Sequence, residues 1–477
     1  MRRMRRCRLL LGLSLPFLFS GCASLPKNLP KNPQTRSQDH LARPVGMNHG
    51  PWPKADWWKT AADPGLDALI QRALVRNPEL HAATARVLLA EAETAGARSR
   101  LLPHFNASLQ FTQQYFSAQG LHLSANGTSN LYGEFDPLLA RYHVDLWGRD
   151  RDLVAAARGE AAVAQAGMAQ TRLLLSTATV LHYFSLQGDQ RLLHEEQRLQ
   201  TWQKRAVLVA RSTYGSGLAD ATQVHGTQIA LAQSTHRIAA LQAAITEEKH
   251  ALATLAGEGP DAALPRAEGL PPMPESTLPI DLSLSLVGRR PDIVAARWAV
   301  QAAAAQVGAA RAAFYPDLNL RLLAGWNSIN LADLFDPANF AHAVGPALTL
   351  PIFEGGSLRA NLRAQDAIFL SAQDHYQAAI LAALNQVADA LSNWLKLQAQ
   401  AKAEDTALRA QRRQLRLRLA AWQSGLQSAM PSIQAHIALL QIAEAKTAIA
   451  TARLQNWALL ESALGGGYDD KGKAEDA

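Results

Sequence analysis

Cys22 is the side chain in this sequence best placed to do chemistry. It follows Leu18-Phe19-Ser20-Gly21, which closes an apolar run beginning at Leu9, and that run follows Arg2, Arg3, Arg5, Arg6 and Arg8. A cationic start, a short apolar run and small residues at its end describe a secretory signal over residues 1–21, too short for a spanning helix. Other reactive types lack useful spacing. His182 and His194 lie twelve residues apart on an expected helix, and no His-Glu-x-x-His pair accompanies them. There is no Walker loop. Gly215-Ser216-Gly217 is no nucleotide loop, because no strand precedes it. No nucleophile, carboxylate pair or metal cluster stands out, so the sequence points to no enzyme, no cofactor and no metal.

The bulk properties narrow the class further. The net charge is +7, but five arginines belong to the signal, and subtracting them leaves about +2. That balance gives no support for nucleic-acid binding. Cys7 leaves with the signal, so Cys22 would be the last cysteine and no intrachain disulfide could form. No later stretch has eighteen consecutive apolar residues, so any membrane span must be made of strands.

An internal repeat organises the rest. Asn77-Pro78-Glu79-Leu80 matches Arg290-Pro291-Asp292-Ile293, and Leu102-Pro103-His104-Phe105-Asn106 matches Tyr315-Pro316-Asp317-Leu318-Asn319, both at an offset of 213. Tyr214-Gly215-Ser216-Gly217-Leu218 matches Trp422-Gln423-Ser424-Gly425-Leu426 at an offset of 208. Between them Leu146-Trp147-Gly148 stands opposite Ile352-Phe353-Glu354. The division expected is a signal at 1–21, a tether at 22–62, a first repeat at 63–259, a Pro-rich linker at 260–279, a second repeat at 280–467 and a flexible tail at 468–477.

Each repeat carries the same elements. A helix begins at Pro78 or Pro291, a residue suited to a first helical turn, and the next proline, Pro103 or Pro316, ends it. Strand-like stretches follow at 105–116 and 318–328. After a polar loop, second ones follow near 135–147 and 340–353. Alternation in His143-Val144-Asp145-Leu146-Trp147 suits a half-buried strand, or one with a lipid and a lumen side. Aromatics crowd all four stretches, as belts at membrane interfaces do. Residues 150–214 and 356–422 then run without proline. About 65 helical residues make a rod of roughly 100 Å. Leu199, Trp202, Ala206 and Val209, and Ile380, Leu384, Val387, Leu391 and Trp394, keep the spacing of a coiled coil. Each rod turns back at a glycine suited to a left-handed helix end, Gly217-Leu218 or Gly425-Leu426.

Four segments carry a family resemblance: Tyr142-His143-Val144-Asp145-Leu146-Trp147-Gly148-Arg149, Gly288-Arg289-Arg290-Pro291-Asp292-Ile293, Ala310-Arg311-Ala312-Ala313-Phe314-Tyr315-Pro316 and Leu350-Pro351-Ile352-Phe353-Glu354-Gly355-Gly356. With the duplicated layout they resemble the outer membrane factors related to TolC, and within these the NodT-type lipoproteins of tripartite efflux systems. Residues 18–22 resemble a lipobox, with Phe19 where Leu is usual, which implies that Cys22 is acylated and anchors the chain in outer membrane lipid. The resemblance implies a mainly α chain that gives four strands to a twelve-stranded barrel in a homotrimer, continued by a periplasmic coiled-coil barrel. It implies a passive channel served by an inner membrane pump of the resistance-nodulation-division class and by a periplasmic membrane-fusion adaptor.

By motif match, the adaptor would dock at Gly217, Leu218, Gly425 and Leu426. Family members often carry acidic residues at the periplasmic aperture just past these tips. Here the matching positions are Gln223, Pro431 and Gln434, with Asp220 the nearest carboxylate. The approach is basic instead, through Lys204, Arg205, Arg211, Arg409, Arg412, Arg413, Arg416 and Arg418. Two other readings compete with a drug-efflux channel. One is a non-conducting coiled-coil lipoprotein that braces the envelope. The other is a conduit for type I secretion or metal-ion efflux.

Overall fold

A computed structural model describes residues 48–119, 127–265, 269–274, 277–279 and 288–470. The expected signal, Cys22 and part of the polar loop of the first repeat, residues 120–126, lie outside the described residues. The chain divides into two compact units. The first takes its described residues from 86–164 and 296–376, and the second from 36–85, 165–295 and 377–477.

The first unit is built on a four-stranded antiparallel sheet of β2 (His104–Tyr115), β3 (Ser129–Val144), β5 (Asp317–Ser328) and β6 (Phe340–Thr349). The order is β2-β3-β5-β6, so among the described residues β2 and β6 are open edges. The second strand of the first pair begins at 129 and ends at 144, earlier at both ends than the expected 135–147. A bulge on β3 at 136–138, which shifts its register against both β2 and β5, puts residues 129–135 out of step with 138–144, so no single period-two pattern runs through the strand. Helices α2 (Pro78–Ser99) and α5 (Pro291–Ala312) lead into the sheet, each starting at its proline. Gly159 and Ala302 show how closely α5 approaches α3 (Arg149–Gly215): a Cβ on Gly159 would stand 2.8 Å from that of Ala302.

The second unit is helical. Its main elements are parts of α3 and α6 (Ser357–Gln423), together with α4 (Ala221–Leu255), α7 (Met430–Ala463) and the short α1 (Pro64–Arg76). Gln200 meets Thr235 and His182 meets Glu248, so α3 and α4 run antiparallel as a hairpin. Asp405 meets Lys446, and Asn456 Nδ2 donates to the Ala390 carbonyl, so α6 and α7 do the same. Glu195 with Thr447 and Ser185 with Gln455 tie α3 to α7.

The core here was not visible in the sequence. Trp57 and Trp58 fall at the end of the stretch expected to be tether, yet they are buried with Trp457, Tyr183 and Phe184. Asp63 fixes this corner, capping α1 at Leu66 N and accepting from the Tyr183 hydroxyl at 2.9 Å. Inside the expected linker, β4 (Thr277–Leu278) pairs in parallel with β1 (Asn48–His49). Arg290 of the Gly-Arg-Arg-Pro-Asp segment is a buried tie: it donates to the Ala463 carbonyl at 2.9 Å, to Asp292 at 2.6 Å and to Gln386 at 2.9 Å.

Candidate functional site

The two hairpin turns share one geometry. Gly217 has φ +69° and Gly425 φ +73°, the left-handed region that glycine enters without a Cβ clash. Leu218 N donates to Thr213 O at 3.0 Å and Gly217 N to Tyr214 O at 2.9 Å. Leu426 N donates to Ala421 O at 2.9 Å and Gly425 N to Trp422 O at 3.0 Å. Both sets form the Schellman pattern, which satisfies the last carbonyls of a helix. The residue after the glycine usually packs back on the last turn in that motif. Here Leu218 is 79% exposed and Leu426 80% exposed. Two turns in the same conformation therefore hold out two bare leucines.

The residues past the turns differ between the repeats. Asp220 caps α4 by accepting from Gln223 N at 3.1 Å, so its carboxylate is engaged by the backbone. Ala429 caps α7 with no side-chain bond, and Pro431 lies in its first turn, where its missing N–H costs nothing. Gln434 is exposed. Beneath both turns Ala206, Ala210, Val224, Met430 and Ile433 form one apolar cluster, so α3, α4 and α7 are fixed together there. Trp202 stacks on His436 with centroids 3.8 Å apart, and the Arg205 guanidinium covers the indole at 4.5 Å. Arg418 bonds Gln427 across the second turn at 3.0 Å. Arg412 and His194 line a cavity of about 790 Å³. His182 is paired with Glu248 at 2.7 Å. Among the described residues no group of three or more His, Cys, Asp or Glu is placed to hold a metal ion.

Further along the hairpins, three glutamates meet. Glu195 and Glu196 of α3 are buried and partnered, Glu195 by Arg191 and Thr447, and Glu196 by Ser234 at 2.5 Å and Arg237 at 3.2 Å. Glu444 of α7 joins them. Burial pushes its carboxyl up to about 8; hydrogen bonding to Glu196 and the Glu195 and Glu196 charges add to this, and Arg237 opposes it. A raised carboxyl pKa means that the folded state holds a proton the unfolded chain has released. This contribution to stability is complete below about pH 4.5 and is lost as the pH climbs through about 8. Glu444→Gln should therefore melt at nearly the wild-type temperature at pH 5 and at a higher one at pH 9. Parallel pH dependences of the two melting curves would contradict the shared proton.

The sheet has two unlike faces. Residues directly opposed in an antiparallel ladder share a face, so Phe105, Ala140, Leu322 and Val344 form one row across all four strands. Tyr142, Leu320 and Pro346 form the next row on that face, and Val144, Leu318 and Leu348 a third. Every one is apolar or aromatic, and Phe105, Val344 and Leu348 are at least 66% exposed. The opposite face carries His104, Asn106, Arg141, His143, Asn319 and Arg321 among small and aliphatic residues. An apolar face this exposed is a liability in water, but it suits hydrocarbon, with the polar face toward a lumen. Among the described residues no helix is long and apolar enough to cross a membrane.

Known proteins share this arrangement. The family model for outer membrane efflux proteins matches residues 69–258 and 282–466. The multidrug resistance outer membrane protein MdtP of Escherichia coli K12 is 31% identical, over 98% of each chain. The fusaric acid resistance protein FusA of Burkholderia cepacia is 33% identical, over 74% of this chain and 68% of its own. Among solved structures, the outer membrane protein VceC of Vibrio cholerae superposes with a TM-score of 0.79 at 31% identity, covering 88% of this chain and 100% of VceC. A duplicated chain with two unlike sheet faces and two long helical hairpins, matched over both halves, belongs to the outer membrane efflux protein family.

Proposed function

We propose that the chain is the outer membrane channel of a tripartite efflux pump, conducting drugs or other toxic small molecules passively to the exterior. The observation that carries this reading is the sheet, predominantly apolar on one face, bearing its charged and amide side chains mainly on the other, and open at both edges among the described residues. In hydrocarbon an open edge leaves backbone N–H and C=O groups without partners, at several kcal/mol each. Three copies of the four strands would close a twelve-stranded barrel and remove the edges. Relatives concerned with multidrug and fusaric acid resistance support small toxic molecules as cargo. A bracing lipoprotein would have no use for such a sheet.

The remaining assignments belong to the same proposal. The first repeat takes residues 63–259 and the second 280–467. Acylated Cys22 anchors the chain in the outer membrane. The exposed leucines at 218 and 426 receive a periplasmic adaptor, which links the channel to an inner membrane pump that supplies the energy. Asp220, Gln223, Pro431 and Gln434 border the aperture. With Asp220 engaged as a cap, they form no acidic cation gate.

A deletion strain tests the function. It should accumulate a fluorescent efflux substrate and become hypersensitive to a set of drugs, with the phenotype reversed by the intact gene. Unchanged accumulation and susceptibility across a broad compound panel, in a strain shown to express the protein beforehand, would count against the reading.

A further inference from the structure

A cavity of about 390 Å³ lies wholly within the second unit. Its walls include Trp57 and Trp58, Leu80 near the start of α2, Met168 and Leu173 on α3, and the glycine turn 465–467 that follows α7. Small-molecule sites occupy roughly 300–1,000 Å³ and are lined by apolar and aromatic side chains with a few polar groups. This cavity has that make-up.

Its open polar groups are donors. Trp57 packs edge-on against Trp58 at 6.1 Å and against Trp457 at 5.3 Å. The Trp58 N–H donates to Asp67 at 3.0 Å, and the Trp457 N–H donates to Glu461 at 3.1 Å. Trp57 is 2% exposed, and its Nε1 has no acceptor among the described residues. A buried donor left unpaired is costly, and a ring held between two others cannot swing out to water. Gly466 keeps this N–H uncovered. A Cβ there would stand 3.3 Å from Nε1 and would run into the Leu173 side chain. Arg172, also in the lining, is exposed and has no ion-pair partner among the described residues. Asp469, the single carboxylate in the lining, is held by Arg289 at 3.6 Å. The hydroxyls of Ser176 and Thr84 donate to the carbonyls of Leu173 and Leu80.

We infer that this cavity binds a small aromatic carboxylate. The ring lies among Trp57, Trp58 and Met168, where aromatic and thioether surfaces favour a ring over a flexible chain. One carboxylate oxygen accepts from the Trp57 indole, and the negative charge falls on the Arg172 side. A cationic ligand does not fit, because both open groups are donors. The assignment holds whether or not the chain conducts.

Titration of 2-naphthoate into the full-length protein in lipid nanodiscs, followed by calorimetry, tests the site. Binding should saturate at one molecule per chain. Trp57→Phe keeps a ring and removes the N–H, and it should weaken binding roughly tenfold or more. Arg172→Gln should do the same, and because the side chain is exposed the variant should keep the wild-type melting temperature. Naphthalene-2-methanol, with the same ring and no charge, should bind roughly tenfold more weakly. Should Trp57→Phe disturb the fold, Ala169→Phe narrows the cavity from α3 and should abolish binding. No saturable binding, or equal binding by the wild type and Arg172→Gln, would overturn the proposal. Tighter binding of decanoate than of 2-naphthoate would overturn the aromatic assignment. So would a density map of the naphthoate-saturated protein with only water on Trp57 Nε1.

Discussion

Leu218→Asp combined with Leu426→Asp is expected to abolish efflux while leaving the amount of assembled protein unchanged. The turns themselves are held by backbone bonds from Leu218 and Leu426 N–H, which any side chain preserves. Both side chains stand about four-fifths exposed, so the free protein loses little when they become polar. The loss would fall on the partner. An apolar anchor at the centre of an interface is worth about 2 kcal/mol or more, roughly thirtyfold in affinity for each leucine. Adaptor capture on the purified channel and dye efflux from cells would measure it, with a native gel reporting assembly. Normal efflux from the double variant would remove the hairpin turns as the docking site.

A neighbouring pair of substitutions separates the two faces of the sheet. Leu322 lies in the apolar row with Phe105, Ala140 and Val344, whereas Leu323 lies on the opposite face with Asn106, Leu139 and Ala343. Leu322→Arg would place a charge in hydrocarbon, at about 2–4 kcal/mol near the bilayer midplane. In the proposed three-chain barrel the penalty would be counted three times, so mature protein should be nearly absent from the outer membrane. Leu323→Arg would place the same charge beside Arg321 and Asn319 on the polar face, and it should assemble at close to the normal level. Outer membrane fractions probed for heat-modifiable protein decide between them. Equal loss in both variants would mean that the faces have been misassigned.

The fold could be read far into the sequence because its punctuation is strong. Pro78 and Pro291 start helices, and two proline-free stretches became helices of 67 residues, Arg149–Gly215 and Ser357–Gln423. The glycines of the two turns were legible because a left-handed helix end favours that residue. Four things were not. The true start of β3 at Ser129 was hidden because a bulge at 136–138 breaks the alternation that marks a strand. The burial of Trp57 and Trp58 against Trp457 depends on contacts some 400 positions apart, which no local pattern encodes. Glu195-Glu196 reads locally as a solvated pair on a long helix, and only the arrival of Glu444, Ser234 and Arg237 from two other helices buries it. The bareness of Leu218 and Leu426 was equally invisible, since the motif they occupy normally turns that residue inward.

Two measurements on one preparation bear most directly on the central claim, that each chain supplies part of a wall and a tube exists only when three chains meet. Full-length protein extracted from outer membranes should have the native mass of three chains and, placed in a planar bilayer, should open discrete conductance steps. A uniform single-chain mass, with no steps at any voltage, would contradict it.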